Sequence, residues 1–166
     1  IDDFGVELLG SSFSTNSTLE HCYMSICGFS SSAALSISQG LVKNRTLVEI
    51  DLSLNKAISD EGAIALGVAL RDSHGIQKLD LTNTGITTHG AVALAQGLLL
   101  NRHLHSVRLD SNQIGDEGGL AFLPIVERKS SLEILGLQWC NLSFDVTRAL
   151  ESATHQHLYV ALRGNR

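Results

Sequence analysis

Three acidic clusters, Asp2-Asp3, Ser59-Asp60-Glu61 and Asp116-Glu117, carry the paired carboxylates that bind divalent metals or divide acid and base roles between them. Cys22, Cys27 and Cys140 could supply thiolates, and two close histidine pairs, His103 with His105 and His155 with His157, could supply imidazoles for a metal. Asn16-Ser-Thr, Asn44-Arg-Thr and Asn141-Leu-Ser are acceptor sequons for N-glycosylation. None of these sets makes a site by spacing alone. The histidine pairs have no cysteine or carboxylate set at ligand distance, no glycine-rich loop cradles a phosphate, and no serine stands at a nucleophile elbow. Their meaning depends on the elements that carry them.

The chain has 166 residues, 43% of them hydrophobic, with 27 leucines but only 5% aromatics and a single proline, Pro124. Its formal charge is −5, from 12 basic against 17 acidic residues, which argues against a nucleic-acid surface. Apolar runs such as Leu98-Leu99-Leu100 are far too short to cross a bilayer. So much leucine with so few aromatics points to a repeated unit. A shift of about 28 residues brings out the repeat. Leu47-Val-Glu-Ile50-Asp-Leu52-Ser-Leu-Asn55 aligns with Ile76 to Thr84, Leu104 to Asn112 and Leu132 to Cys140; a weaker copy runs from Leu19 to Cys27 and a shorter one from Val160 to Asn165. Behind each copy, apolar residues recur at helical spacing, most clearly from Ile86 to Leu98. Each unit is therefore one strand followed by one helix.

The LxxLxLxxN pattern resembles the leucine-rich repeat superfamily in its long, ribonuclease-inhibitor-like form. The resemblance implies an α/β fold: a right-handed solenoid in a horseshoe arc, parallel strands on the concave face and helices on the convex face. We expect a single solenoid segment made of a partial repeat 1–18, repeats 19–46, 47–75, 76–103, 104–131 and 132–156, and a partial repeat 157–166. With no polar capping unit evident at either end, the segment reads as part of a longer solenoid. Stacking explains the leucines without the family name, because one strand-helix unit cannot bury its apolar side alone.

In this register the chemical-looking residues acquire structural roles. Asp2, Ser30, Ser59, Thr87, Gly115 and Ser143 each precede a helix and read as N-caps, and the acidic residues beside them lie in first turns, where they complement the helix dipole. Cys27, Asn55, Thr84, Asn112, Cys140 and Asn165 share the strand-exit position and form a buried structural ladder. Cys27 and Cys140 stand four repeats apart, about 19 Å at one strand spacing per repeat, too far for a disulfide. Three buried, unpaired thiols and no visible secretory signal favour an intracellular, cytoplasmic protein. Asn16, Asn44 and Asn101 occupy one position after the helix, where asparagine ends a helix in the left-handed conformation. Gly62, Gly90 and Gly118 share a helix position that needs a small residue. Pro124 should kink or delay its helix, the unit from Leu47 carries one extra residue, and the unit from Leu132 is short.

Function is left to the concave strand face. Its central column reads Tyr23, Asp51, Asp80, Arg108, Gly136, Ala161; the column before it reads His21, Glu49, Lys78, Ser106, Ile134, Tyr159; the column after it reads Ser25, Ser53, Thr82, Asp110, Gln138, Arg163. Trp139 stands at the rim, half exposed. The candidate partner-binding set is Tyr23, Glu49, Asp51, Lys78, Asp80, Arg108, Asp110, Gln138, Trp139, Tyr159 and Arg163, with Trp139, Arg108, Arg163 and Tyr159 as its expected centre. We expect no catalytic residue, no metal and no cofactor, and a protein partner rather than nucleic acid, membrane or small molecule. The resemblance implies a protein-interaction module or scaffold. It also leaves open a GTPase-activating protein of the Ran-regulator type, or the sensor repeats of an intracellular innate immune receptor.

Overall fold

The computed structural model describes residues 3–128, 131–155 and 157–165, so the expected cap at Asp2 lies outside the described residues. Six three-residue strands, β1 (His21–Tyr23), β2 (Glu49–Asp51), β3 (Lys78–Asp80), β4 (Ser106–Arg108), β5 (Ile134–Gly136) and β6 (Tyr159–Ala161), form one parallel sheet in sequence order. Helices return the chain between them: α1 (Asp3–Phe13) ahead of β1, then α2 (Ser31–Lys43), α3 (Ser59–Asp72), α4 (Thr88–Leu100), α5 (Gly115–Leu120), α6 (Leu123–Glu127) and α7 (Phe144–Ala153). Because every crossover joins neighbouring parallel strands, the sheet stays open and the molecule is a solenoid arc.

Strand register matches the repeat alignment. Tyr23, Asp51, Asp80, Arg108, Gly136 and Ala161 are successive Cα partners, as are His21, Glu49, Lys78, Ser106, Ile134 and Tyr159. The residue between them turns into the core: Ile50, Val107 and Leu135 are fully buried and Leu79 nearly so. Leu52, Leu81, Leu109 and Leu137 continue that core from repeat to repeat, each contributing about 1.5 to 3 kcal/mol of burial. On the convex side α3 and α4 meet backbone to backbone at Gly67, where a Cβ would stand 2.6 Å from the Ala93 carbonyl. The small residue expected at Gly62 and Gly118 is likewise required, since Ile58 and Ile114 come within 2.6 Å of the missing Cβ.

Two irregularities fall where the pattern breaks. The extra residue after Asn55 is absorbed by a 3-10 turn, Lys56–Ile58, that runs straight into α3. Pro124 splits its helix: α5 stops at Leu120, and Pro124 sits at the start of α6, where its missing N–H costs nothing.

The strand-exit ladder works by asparagine serving two repeats at once. Asn55 donates to the Met24 and Leu52 carbonyls, both at 2.9 Å, and its Oδ1 accepts from the Cys27 and Phe29 amides. Asn112 repeats this toward Leu81, Leu109, Thr84 and Ile86, and Asn165 toward Leu137, Leu162, Cys140 and Leu142. Thr84 and Cys140 sit between them and each donates to a carbonyl, of Leu81 and Leu109 respectively.

Three local expectations need correction. Asn44 and Asn101 end their helices in extended conformation, φ −70° and −74°, because their side chains do the capping: Nδ2 donates to carbonyls of the preceding repeat, and Oδ1 accepts two amides ahead. Ser59 and Gly115 are left-handed first residues of their helices, at φ 55° and 67°, and the cap positions fall on Ile58 and Ile114. Ser30, Thr87 and Ser143 are caps, with a side-chain cap bond at Ser143. Finally, only Cys140 among the thiols is buried; Cys22 and Cys27 are half-buried. Burial pushes the Cys140 thiol up to about 12 and also raises that of Cys22.

Candidate protein-binding face

Alternation along each short strand sends one side chain into the core and its two neighbours outward, so the six strands present a continuous face. On this face Glu49 is a meeting point. Its Oε2 accepts from the Tyr23 hydroxyl at 3.3 Å, lies 3.2 Å from His21 Nδ1, and stands 3.8 Å from the Lys78 ammonium. The His21 and Tyr23 rings stack with centroids 6.4 Å apart. Burial, and then the neighbouring Glu49 and Asp51 carboxylates, raise the Tyr23 phenol. Arg108 reaches Asp80 at 3.9 Å. These exposed pairs set charge order rather than stability, since pairs of this kind contribute about 1 kcal/mol or less.

Three aspartates are held by backbone amides. Asp51 accepts from Ser53 N–H at 2.8 Å and Asp80 from Thr82 N–H at 2.9 Å. Asp110 accepts from Gln138 N–H at 2.7 Å in the next repeat, and it can lie there because Gly136 has no Cβ, which would stand 2.8 Å from the carboxylate. Desolvation under this cover raises the Asp110 carboxyl, against the lowering effect of the Gln138 amide.

Of the expected binding residues, Tyr23, Glu49, Asp51, Lys78, Asp80 and Arg108 line one open depression of about 330 Å³, together with Ser106 and Ile134. Gln138, Trp139, Tyr159 and Arg163 lie beyond it, over β5, β6 and the rim. The expected centre is thus divided, with Arg108 drawn into the depression by Asp80 while Trp139 covers Gly164, whose absent Cβ makes room for the indole. Tyr23, Trp139 and Tyr159 are 65%, 62% and 67% exposed, which leaves three large aromatic surfaces open. Ala161 is buried and Ser53 is at the edge of burial, so the face is narrower there than the columns suggest.

The sequence reading placed Trp139 at the rim but missed the backbone conformation there. Ile26, Leu54, Asn83, Ser111 and Trp139 occupy one position and all adopt left-handed backbone, φ between 53° and 62°. Ile26 and Leu54 are 74% and 44% exposed there. Asn83, the residue type that prefers this conformation, was the available signal. Also unforeseen is the destination of the acidic clusters. Asp60 accepts from Thr87 and Gly90 of the next helix, and Asp116 accepts from the Ser143 amide at 2.6 Å. Among the described residues, no group of three or more His, Cys, Asp or Glu is placed to hold a metal ion. No helix of the described residues is long and apolar enough to cross a membrane.

A family model described as Leucine Rich repeat matches residues 43–67, 73–95 and 100–123, the parts of the chain that form β2 through α5. The chain belongs to the leucine-rich repeat superfamily. Its repeats are of the ribonuclease-inhibitor-like type: mouse ribonuclease inhibitor is 30% identical over 138 residues, 80% of this chain and 30% of the relative. Human NACHT, LRR and PYD domains-containing protein 5 is 35% identical over 149 residues, 89% of this chain and 12% of the relative. The leucine-rich repeats here therefore span less than a third of the length of either relative. Among solved structures, the tropomodulin C-terminal domain of Caenorhabditis elegans superposes with a TM-score of 0.75 at 16% identity, covering 89% of this chain and 90% of that one. The leiomodin-1 actin-binding site 2 does so at 0.64 and 18%, covering 79% and 77%. At those identities the likeness is one of fold.

Proposed function

We propose that this leucine-rich repeat segment binds a protein through the concave strand face and its rim. The observation that carries the reading is the depression between Tyr23 and Arg108, continued by exposed Trp139 and Tyr159. Aromatic and arginine side chains on a rigid open surface are the residue types on which protein recognition concentrates. The names of relatives and structural neighbours agree in kind: one inhibits a ribonuclease, and another carries an actin-binding site. The test is an affinity comparison on an identified partner, in which Trp139→Ala and Asp51→Ala weaken binding at unchanged melting temperature. Unchanged affinity for both variants would remove the face from the site.

A second reading narrows the first: the segment serves as the repeat region of a multidomain receptor of the innate immune type. It is favoured by the 35% identity to a protein named for its NACHT and PYD domains as well as its repeats. Sequencing the full transcript tests it, the expected result being a NACHT-coding region upstream. A cytoplasmic setting accords with three free cysteines and with the sequon at Asn44, whose amide is buried and donates to two carbonyls.

A further inference from the structure

The concave face is electrically polar along the arc. On β1 to β3 the outward positions carry Glu49, Asp51 and Asp80 against Lys78, an excess of negative charge; β4 balances Arg108 with Asp110; on β5, β6 and the following turn Arg163 stands without any carboxylate in the three columns. Local pairing does not cancel this order. Lys78 goes to Glu49 and Arg108 to Asp80, which leaves Asp51 and Arg163, among the described residues, in no ion pair. Asp51 also has Asp80 as its direct cross-strand partner, and like charges in that relationship repel. An external cation seated over β2 would relieve the repulsion, with the exposed Tyr23 ring beside it as a cation-π wall. Arg163 and the exposed Tyr159 offer the opposite end an anion site with an aromatic flank.

From this charge order we propose that the occupant of the face is a dipolar segment of a protein partner. It crosses the strands with its basic end over Tyr23 and Asp51 and its acidic end over Tyr159 and Arg163. The inference rests on the concave-face reading above and adds the partner's chemistry and direction. Asp51 and Arg163 are separated by four strand spacings, about 19 Å, which an extended segment of about six residues spans.

The test uses an extended peptide of about eight residues with two lysines at one end and two glutamates at the other. A nitroxide label is placed on either end, and the peptide is added to the isotope-labelled chain. The label on the lysine end should broaden the Tyr23 and Ser53 amides, and the label on the glutamate end should broaden the Trp139 indole. In the double variant Asp51→Lys, Arg163→Glu, both of whose sites lie on the surface, the two patterns should exchange. Broadening of concave amides that is indifferent to the labelled end would overturn the polarity while leaving the face as the binding surface. Broadening confined to α2, α3 and α4 would overturn both, and no broadening with either label would overturn the polarity proposal.

Discussion

The Asp60 carboxylate, in the first turn of α3, accepts a 2.5 Å hydrogen bond from the Thr87 hydroxyl and a 2.7 Å bond from the Thr87 amide at the start of α4. A third bond, from Gly90 N–H at 3.0 Å, completes a cap that one repeat places on the next. Gly90 permits it, since a Cβ there would stand 2.6 Å from Asp60 Oδ1. Asp60→Ala should therefore destabilise the fold by about 1 kcal/mol, the usual cost of a lost cap, as read by urea unfolding. Burial acts to raise the Asp60 carboxyl, but the Thr87 and Gly90 bonds outweigh it and hold the group below the ordinary carboxylate value. A folded-state pKa depressed in this way gives stability that is present above the unfolded value and lost as pH falls through the folded one. The wild type should accordingly lose stability on acidification more steeply than Asp60→Ala.

Asn112 should be far less replaceable. It is 2% exposed, and Asn112→Ala would strand the Thr84 and Ile86 amides and take one donor from each of the Leu81 and Leu109 carbonyls, which keep the Thr84 hydroxyl and the Cys140 thiol. At about 1 to 3 kcal/mol per unsatisfied buried group, the loss should exceed that of Asp60→Ala severalfold in the same unfolding experiment. Equal losses would mean that water replaces the side chain.

Cys140 should be inert in the native protein at pH 8, where alkylation followed by peptide mass analysis should mark Cys22 and Cys27 before it. Its thiol is raised from the ordinary 9.0 to about 12, so the folded state keeps a proton that the unfolded state releases in between. Stability linked to Cys140 is complete below the unfolded value and declines as pH rises toward 12. Cys140→Ser, which can still donate to the Leu109 carbonyl, should remove that alkaline slope.

Trp139 reports on its own seat. Gly164→Ala would drive a methyl into the indole and add a side chain at φ 78°, so the ring must lift. With one tryptophan in the chain, a red shift of its fluorescence should show this directly. An unchanged spectrum would mean that the ring does not rest on Gly164 in solution.

The period of the leucines was enough to place every strand and its register, because burial dictates which residues turn inward and stacking fixes the rest. Pro124 and the extra residue after Asn55 announced their irregularities in the same way. What stayed hidden were side chains that act across repeats. Asp60 looks like a first-turn acid of its own helix, and only the stacked geometry shows its carboxylate reaching Thr87, 27 residues on. Asn44 has the composition of a left-handed helix end, yet its amide satisfies carbonyls of the preceding repeat, which removes the need for that backbone. On the binding face the columns were legible, but their division was not: whether Arg108 turns to Asp80 or toward Trp139 is decided by local charge, which no period encodes.

The central claim is that the strand face, and not the helical face, meets the partner. Photo-crosslinking from single sites tests it most directly, with benzophenone side chains placed at Ser106 or Gln138 on the strands and at Val68 or Leu100 on the helices. Val68 and Leu100, both 60% exposed, give the convex side a fair chance. A discrete protein adduct from Ser106 and Gln138, lost in Trp139→Ala and Asp51→Lys backgrounds, is the predicted result. An adduct that forms only from Val68 and Leu100 would contradict the account.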